Sequence, residues 1–252
     1  MYKRFIMRII LSGISGRMGA AVMAVSADGY MDSEIVAGVD IKPSEGEIPC
    51  YSDFSDIKEN ADCIIDFSNH ASIKAVADYA VTAGLPLVVA TTGHTDEEKE
   101  IIRKASEAVP VFFSANMSMG VALLCRMATM AAKTLPGADI EIVETHHNRK
   151  LDAPSGTALM IANAIKTVRD SAKFVFGRSG MAKREAEEIG IHAVRRGNIV
   201  GIHEVIVSTD YETITIKHEA HSRSLFAEGA LTAAAFLAGK APGLYEMSSL
   251  IG

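Results

Sequence analysis

Two patterns of apolar and polar positions divide the chain. Up to about residue 117, short uninterrupted apolar runs such as residues 9–11 alternate with stretches whose apolar residues recur at helical spacing. Such runs are typical of parallel strands that helices cover on both faces. Between residues 174 and 218, apolar and polar residues alternate at period two, as in a mixed or antiparallel sheet with one covered face. The pattern predicts an α/β protein with two domains, residues 1–117 with 227–252, and residues 118–226.

The first region shows a regular succession of predicted strands and helices. A strand that starts at Met7 leads into a glycine turn and a helix, and further strands are predicted at 34–39, 63–67, 86–90 and 111–113. Helices are predicted at 71–83, closed by Gly84, and from Asp96 to about residue 108. The loops D-F-S-N, A-T-T-G and S-A-N-M follow strands, and an open parallel sheet binds ligands at that edge. We expect His70 and His94 in these loops to be solvated or rim residues.

The second region mixes helices with alternating strands. Helices are predicted at 119–134 and 157–168, and a strand ends in His146. Further strands are predicted at 174–177, 189–195, 199–208 and 212–218, with hairpin turns at 195–198 and 209–211. We expect a sheet of four or five strands. A helix at 221–237 and the tail after it are expected to return to the first domain.

This second sheet must bury its apolar side. One helix covers too little of it, so we expect subunits to pair their sheets in a homo-oligomer. His192, His203 and His218 belong to the alternating strands, and we interpret each as a half-exposed sheet residue rather than a ligand.

A glycine-rich turn follows the first strand. Gly13, Gly16 and Gly19 form G-x-x-G-x-x-G, a variant of the dinucleotide fingerprint, between a predicted strand and a helix. Asp40 follows about 20 residues after Gly19 at the end of the next strand, which is where a carboxylate binds the adenosine ribose. A carboxylate repels a 2′-phosphate and favours NAD, whereas Arg17 and nearby Lys42 can neutralise one, so use of both cofactors stays open.

Residues 141–157, E-I-V-E-T-H-H-N-R-K-L-D-A-P-S-G-T, carry the other candidate chemistry. An apolar strand ends in His146 and His147, and the ammonium of Lys150 follows. The D-A-P-S-G-T segment starts a helix that Asp152 or Ser155 can cap, with Pro154 in its first turn. Its free N–H groups, with the Thr157 hydroxyl and the bare Gly156, suit an anionic group such as a carboxylate. A zinc site is the weaker interpretation, because adjacent strand residues point to opposite faces and no metal motif accompanies them.

Composition narrows the class of protein. At 252 residues, with 48% hydrophobic and 22% charged residues and a net charge of −6, the chain is typical of globular proteins and lacks the basic footprint of a nucleic-acid binder. No apolar run approaches the length that spans a bilayer, and the basic-then-apolar N-terminus is too short for a signal peptide. Three cysteines without metal spacing suggest reduced thiols, so we expect a cytoplasmic protein.

These motifs together resemble the 4-hydroxy-tetrahydrodipicolinate reductase family, formerly named dihydrodipicolinate reductase, over essentially the whole chain. The most specific part is E-x-H-H-x-x-K-x-D-A-P-S-G-T-A. The resemblance implies a Rossmann-like dinucleotide-binding domain and a mixed-sheet α+β domain that binds the substrate and builds a homotetramer. It implies a small dicarboxylate substrate. It also implies NAD(P)H-dependent reduction of 4-hydroxy-tetrahydrodipicolinate to tetrahydrodipicolinate, in lysine and diaminopimelate biosynthesis.

The resemblance also assigns residues to roles. Proton transfer falls to His146 and Lys150, and substrate binding falls to His147, Gly156 and Thr157. Dinucleotide binding falls to a larger set, namely Gly13, Ile14, Ser15, Gly16, Arg17, Met18, Asp40, Ala90, Thr91, Thr92, Ser114, Ala115, Asn116 and Met117. No residue is assigned to a metal.

The chain departs from the family pattern in places, and other functions stay open. His94 stands where an aromatic residue often follows T-T-G, and Met117 stands where Phe is common. Asp40 is followed by Ile41 where some members have an acid–arginine pair, which favours NADH without excluding NADPH. One alternative is another Rossmann dehydrogenase, acting for instance on an amino acid. A second is a nonenzymatic NAD(H)-sensing module, against which a cluster of proton donors beside an anion pocket argues.

Overall fold

The structure, a computed structural model, describes residues 6–43 and 45–251. The basic start of the chain at residues 1–5, on which the expectation about a signal peptide partly rests, lies outside the described residues. The chain divides into two compact units. Unit 1 comprises the described residues up to Met119 and from Arg223 onward, and unit 2 comprises Gly120–Ser222. The dinucleotide-binding and substrate-binding roles expected of the two domains stay predictions.

The elements follow in chain order. The strands are β1 Met7–Ser12, β2 Ser33–Val39, β3 Cys50–Tyr51, β4 Cys63–Asp66, β5 Leu87–Val89, β6 Pro110–Phe113, β7 Asp139–His146, β8 Lys173–Phe176, β9 Glu188–Arg195, β10 Gly201–Ser208, β11 Thr213–Ala220 and β12 Gly243–Tyr245. The helices are α1 Arg17–Ala27, α2 Ile73–Ala83, α3 Asp96–Ala105, α4 Met119–Thr134, α5 Gly156–Lys166, α6 Ser224–Leu237 and α7 Met247–Ile251. Within the part of the chain that is described, no helix combines the length and the apolar character needed to cross a bilayer.

Unit 1 is built on a seven-stranded sheet in the order β12-β6-β5-β4-β1-β2-β3, in which all neighbours are parallel. Helices α2 and α3 pack on one face, around core residues such as Ile10 and Val111. Phe112 points to the other face, where it contacts Phe236 of α6. Successive residues of β1 have no exposed surface, because both faces of the sheet are covered. The pairing of β12 with β6 confirms that the tail returns to this sheet.

Unit 2 contains a five-stranded mixed sheet in the order β11-β10-β7-β9-β8. Strands β7, β9 and β8 run parallel, whereas β10 is antiparallel to both β7 and β11. Helices α4 and α5 bury one face of this sheet in a core around Ile140 and Ile142 of β7. The opposite face of β7 and β10 carries half-buried Val143, Ile202 and Ile206 and no helix of unit 2. The predicted α/β class, with one parallel and one mixed sheet, is confirmed.

One predicted hairpin is confirmed and the other is wrong. The turn at 209–211 joins antiparallel neighbours, with Ser208 opposite Thr213. The R-R-G-N segment at 195–198 does not, because β9 pairs in parallel with β7 and the chain must pass β7 before it enters β10. Turn residues show that the chain changes direction, but the insertion of β7 between the two strands depends on residues some 50 positions away.

Two buried histidines contradict the expectations, which were a solvated or rim position for His94 and a half-exposed sheet position for His203. His94 is only 9% exposed and meets the Phe113 ring edge-on at 5.4 Å, because the loop turns inward at Gly93, where φ is +87°. Burial lowers the pKa of His94. His203 is 4% exposed because its strand position faces α5. His70, in contrast, is partly exposed and pairs with Glu98 at 2.9 Å, in line with a rim residue.

Candidate functional site

The predicted dinucleotide residues lie along one edge of the unit 1 sheet. Strands β6, β5, β4, β1 and β2 are parallel neighbours, so the loops at their carboxyl ends share that edge. The glycine turn follows β1, Asp40 follows β2, Ala90–Thr92 follows β5 and Ser114–Met117 follows β6. The fold therefore brings together segments that are far apart in the sequence.

The glycine turn has little room for side chains. At Gly13 φ is +82°, and an added Cβ would lie 2.8 Å from the carbonyl of Phe67. A Cβ at Gly19 would lie 2.3 Å from the carbonyl oxygen of Ile14, so this glycine lets α1 pack against the turn. Gly16 is exposed, and a Cβ there would meet only the Gly13 oxygen at 3.1 Å. Gly16 thus leaves the surface of the turn free of a side chain that would obstruct a ligand phosphate, although the N–H groups of Ser15 and Gly16 already donate to Asp40 and to the Gly13 oxygen.

Asp40 is held at the rim of a cavity of about 700 Å³ that Gly13 and Gly16 also line. Its carboxylate accepts hydrogen bonds from the N–H groups of Ser15 and Lys42, both at 3.2 Å. The volume and the carboxylate fit the adenosine half of a dinucleotide. Phe67, Ser68 and Asn69 of the predicted D-F-S-N loop also line the cavity. The cavity extends further over residues that the sequence did not single out, namely Ser52, Asp53, Phe54, Ser55, Ser72, Ala75, Asp78, Tyr79 and Thr82. No sequence motif marks them.

The remaining predicted cofactor residues differ in what they can offer a ligand. Ile14 is buried and would touch a Cβ at Gly38, so its side chain belongs to the core. The Thr91 hydroxyl already donates to the buried Asp66 carboxylate at 2.8 Å. Ala90 and Met117 are buried as well, whereas Ser15, Arg17, Thr92 and Ala115 are exposed and Met18, Ser114 and Asn116 are half-buried. The buried members can reach a cofactor only through their backbone.

In unit 2, His146 is the last residue of β7 and is 8% exposed. Its Nδ1 lies 2.5 Å from a carboxylate oxygen of Glu144, two residues earlier on the same face of the strand. The ring also packs against that of His203, with centroids 5.1 Å apart. The sequence prediction missed Glu144, although a glutamate at a core-facing position of an apolar strand is a signal for a buried partner.

The Glu144 carboxylate has no exposed surface. Arg195 donates to both of its oxygens at 2.7 and 2.8 Å, and the N–H of Ser155 donates at 3.0 Å. Burial raises the pKa of Glu144, but the hydrogen bonds from His146 and Arg195 outweigh it and lower that pKa to about 2. The carboxylate is therefore ionised at neutral pH.

The start of α5 lies where the sequence predicted a helix start with an anion pocket. Ser155 is the N-cap, since its hydroxyl accepts the N–H of Ala158 at 3.2 Å, and Gly156 is exposed. Pro154 precedes the cap, so its predicted place in the first turn is wrong. The ammonium of Lys150 pairs with Asp152 at 2.8 Å, which lowers the pKa of that carboxyl.

His203 links the helix start to the β7 end. Its Nε2 lies 3.1 Å from the Ser155 hydroxyl. Burial, together with the charges of His146 and Lys150, lowers the pKa of His203 to about 4, so its ring is neutral at neutral pH. This residue belongs to the proton-donor region rather than to an open polar face, contrary to the expectation.

The loop after β7 is held by residues 197–199, which are the end of the R-R-G-N segment and the residue after it. The N–H of His147 donates to the oxygen of Ile199 at 2.8 Å, and Arg149 donates to Asn198 at 2.5 Å. Unit 2 therefore gathers His146, His147 and Lys150 next to the Gly156 and Thr157 helix start. Among the described residues, no group of three or more His, Cys, Asp or Glu side chains is arranged to hold a metal ion.

Comparison with known proteins gives matches along nearly the whole chain. The family models described as dihydrodipicolinate reductase, N-terminus and C-terminus, match residues 7–117 and 120–251. A 4-hydroxy-tetrahydrodipicolinate reductase of Caldanaerobacter subterraneus subsp. tengcongensis is 48% identical over 246 residues, covering 97% of this chain and 98% of the relative. One from Clostridium tetani is 43% identical over 247 residues, covering 97% and 96%.

A solved structure shares the fold. Dipicolinate-bound dihydrodipicolinate reductase from Paenisporosarcina sp. TG-14 superposes with a TM-score of 0.80 at 23% identity, and the match covers 98% of this chain and 100% of that chain. The same order of a parallel and a mixed sheet is thus found in a protein of that name.

Proposed function

The chain belongs to the dihydrodipicolinate reductase family, and we propose that it reduces 4-hydroxy-tetrahydrodipicolinate to tetrahydrodipicolinate with NAD(P)H, a step of lysine and diaminopimelate biosynthesis. The observation that carries the proposal is the grouping in unit 2 of an imidazole, an ammonium and an open helix start. Proton donors beside an anion pocket suit the reduction of a dicarboxylate.

Unit 1 supplies the dinucleotide site in this proposal. The bare glycine turn and the cavity below Asp40 fit a dinucleotide, and the turn from Gly13 to Met18 would hold its pyrophosphate. The loops Ala90–Thr92 and Ser114–Met117 would hold the rest. When bound, the reduced nicotinamide supplies the hydride.

NADH is the preferred cofactor in this proposal. The Asp40 carboxylate suits ribose hydroxyls and repels a 2′-phosphate, and the next residue is the 87% exposed Ile41 rather than a cation. Arg17 and Lys42 are exposed, and each lies two residues after a residue at this site, Ser15 and Asp40, so NADPH is accepted with lower affinity.

Unit 2 supplies the proton and the substrate site. Reduction of an unsaturated ring leaves negative charge that a proton must meet, and His146 or Lys150 delivers it. His147, the Gly156 N–H and the Thr157 hydroxyl bind the substrate carboxylates. The Lys150 ammonium pairs with the Asp152 carboxylate, so a substrate carboxylate that binds Lys150 must compete with Asp152.

Assembly is the last part of the proposal. The face of the unit 2 sheet that α4 and α5 leave uncovered carries Val143, Ile202 and Ile206. We propose that subunits pair through this face in a cytoplasmic homotetramer, because burial of those side chains stabilises association.

The direct test is a steady-state assay of the purified chain with freshly generated 4-hydroxy-tetrahydrodipicolinate. We expect NADH and NADPH to be consumed only when this precursor is present, with a higher kcat/KM for NADH. Consumption with an amino acid instead would favour another dehydrogenase. Binding of NADH without turnover of any substrate would favour a sensor and contradict the proposal.

A further inference from the structure

Glu144 is a buried carboxylate with every acceptor position in use. One oxygen receives Arg195 at 2.7 Å and the Ser155 N–H at 3.0 Å. The other oxygen receives Arg195 at 2.8 Å and lies 2.5 Å from Nδ1 of His146. Two carboxylate oxygens offer about four lone-pair sites, so the set is complete.

Packing does not require a charge at this position. Ile140 and Ile142 occupy the same face of β7 and fill the core with apolar side chains. A buried ion pair costs desolvation that its own attraction rarely exceeds, so an apolar residue of similar volume is often as stable. The partners of Glu144, a proposed proton donor and the start of a proposed anion pocket, instead suggest a role in the chemistry.

We infer that Glu144 is a positioning residue that holds the His146 imidazole in the Nδ1–H tautomer and ties it to the start of α5. This inference rests on the proposed function, in which His146 is a proton donor. Arg195 completes the arrangement, because it grips the carboxylate with both terminal nitrogens and also donates to the carbonyl oxygen of Asp152 at 2.6 Å.

The tautomer follows from the acceptor. An ionised carboxylate can only accept, so Nδ1 of His146 must carry the proton in that hydrogen bond. The transferable proton of the imidazolium is then on Nε2, and loss of that proton leaves a neutral ring that Glu144 still holds. Glu144 stays ionised at neutral pH, because the hydrogen bonds from His146 and Arg195 outweigh burial and lower its pKa.

Gly201 and His203 lie next to the His146 ring. A Cβ at position 201 would lie 3.1 Å from Nε2 of His146, and the glycine there avoids that crowding. His203 packs across the ring with a 73° angle between the planes and is neutral at neutral pH, so it adds no positive charge. Glu144, which Arg195 also binds, is thus a charged group in direct contact with the His146 ring.

Glu144→Gln tests the inference. The Arg195 guanidinium will take the carboxamide oxygen, which turns the amide NH₂ toward His146 and forces the imidazole into the Nε2–H tautomer. An analogous carboxylate-to-carboxamide change in a serine protease triad gives the wrong tautomer with the geometry intact. We expect kcat to fall by about 10²-fold or more while the KM of the substrate changes by less than about threefold.

The ring nitrogens give a readout that a purely structural role would not move. In ¹⁵N spectra of histidine-labelled protein, neutral His146 should be the Nδ1–H tautomer in the wild type and the Nε2–H tautomer in Glu144→Gln. Glu144→Asp keeps an acceptor and should retain the wild-type tautomer. An Nε2–H tautomer in the wild type would overturn the inference, and this measurement needs no variant to fold.

Glu141→Gln is a matched control. Glu141 lies on the same strand but the opposite face, and it also pairs with a histidine, His192, at 2.7 Å. We expect its kcat to match the wild type. Equal kcat values for Glu144→Gln and the wild type would refute the positioning role and leave the proposed function intact. Failure of the wild type to reduce the precursor would refute the function, and the tautomer would still be measured separately.

Discussion

The two candidate regions differ in the kind of residue that shapes them. The dinucleotide edge of unit 1 depends on glycines, since Gly13 and Gly19 have no room for a side chain and Gly16 carries none that would obstruct the turn. The end of β7 in unit 2 is made by buried charge, since Glu144 and Arg195 hold the groups around them. The contrast suggests that a dinucleotide is bound mainly through accessible backbone, whereas proton delivery needs side chains that are held in one orientation.

Loss of the proposed donors should have the largest effect and separate the two regions. We expect Lys150→Ala and His146→Gln each to lower kcat by about 10²-fold, because the proton must then come from water. The affinity for NADH should stay within about twofold of the wild type, since unit 1 is untouched. Isothermal titration calorimetry with NADH measures the affinity, and steady-state kinetics measure kcat. A turnover equal to the wild type would remove the residue from the mechanism.

Gly19→Ala should break the other region. Its Cβ would lie 2.3 Å from the Ile14 oxygen and 2.4 Å from the Gly13 oxygen, both in the backbone, so α1 or the turn must shift. We expect a loss of about 1–3 kcal/mol of unfolding free energy, as in other overpacked sites, with NADH binding weakened by about tenfold. Urea unfolding and NADH titration measure these effects.

Gly46→Ala is the control for that substitution. A Cβ at Gly46 meets nothing within 4 Å, so stability and NADH affinity should stay at wild-type values. If Gly19→Ala behaved like Gly46→Ala, close packing of the glycine turn would not be what restricts this position.

The smallest expected effect is the contribution of buried His203 in unit 2 to the pH dependence of stability. The pKa of His203 is lowered by burial to about 4, so as pH falls from about 6.5 the unfolded chain takes up a proton that the folded chain refuses. The stability that depends on neutral His203 is complete above pH ~6.5 and is lost as pH falls toward 4. His203→Gln should therefore lose less stability than the wild type between pH 7 and pH 5, by on the order of 1–2 kcal/mol.

Urea unfolding of both proteins at pH 5, pH 7 and pH 8 checks this expectation. Between pH 7 and pH 8 both proteins should change alike, because a histidine at this position is neutral in either state. Parallel losses between pH 7 and pH 5 would show that His203 is not the group responsible.

Much of the fold was predictable because its signals are local. Strand β1, the glycine turn and α1 follow one another within a short segment, and the end of α2 at Gly84 is a residue with φ of +67°. The β9–β10 connection was not predictable, because the turn at 195–198 gives no information about β7 between its strands. The predicted roles of the site residues stay predictions, although the structure gathers them in the expected loops.

The sequence by itself determined the class of fold, the positions of its glycine turn and helix starts, and the family of the chain. These features depend on residues close together along the chain, or on motifs that survive as strings. Only the tertiary structure decided that Glu144 meets Arg195 and Ser155, that His203 is buried and neutral, and that R-R-G-N braces the loop after His146. Those contacts arise from strand order, and strand order follows from the packing of the whole sheet rather than from any one segment of it.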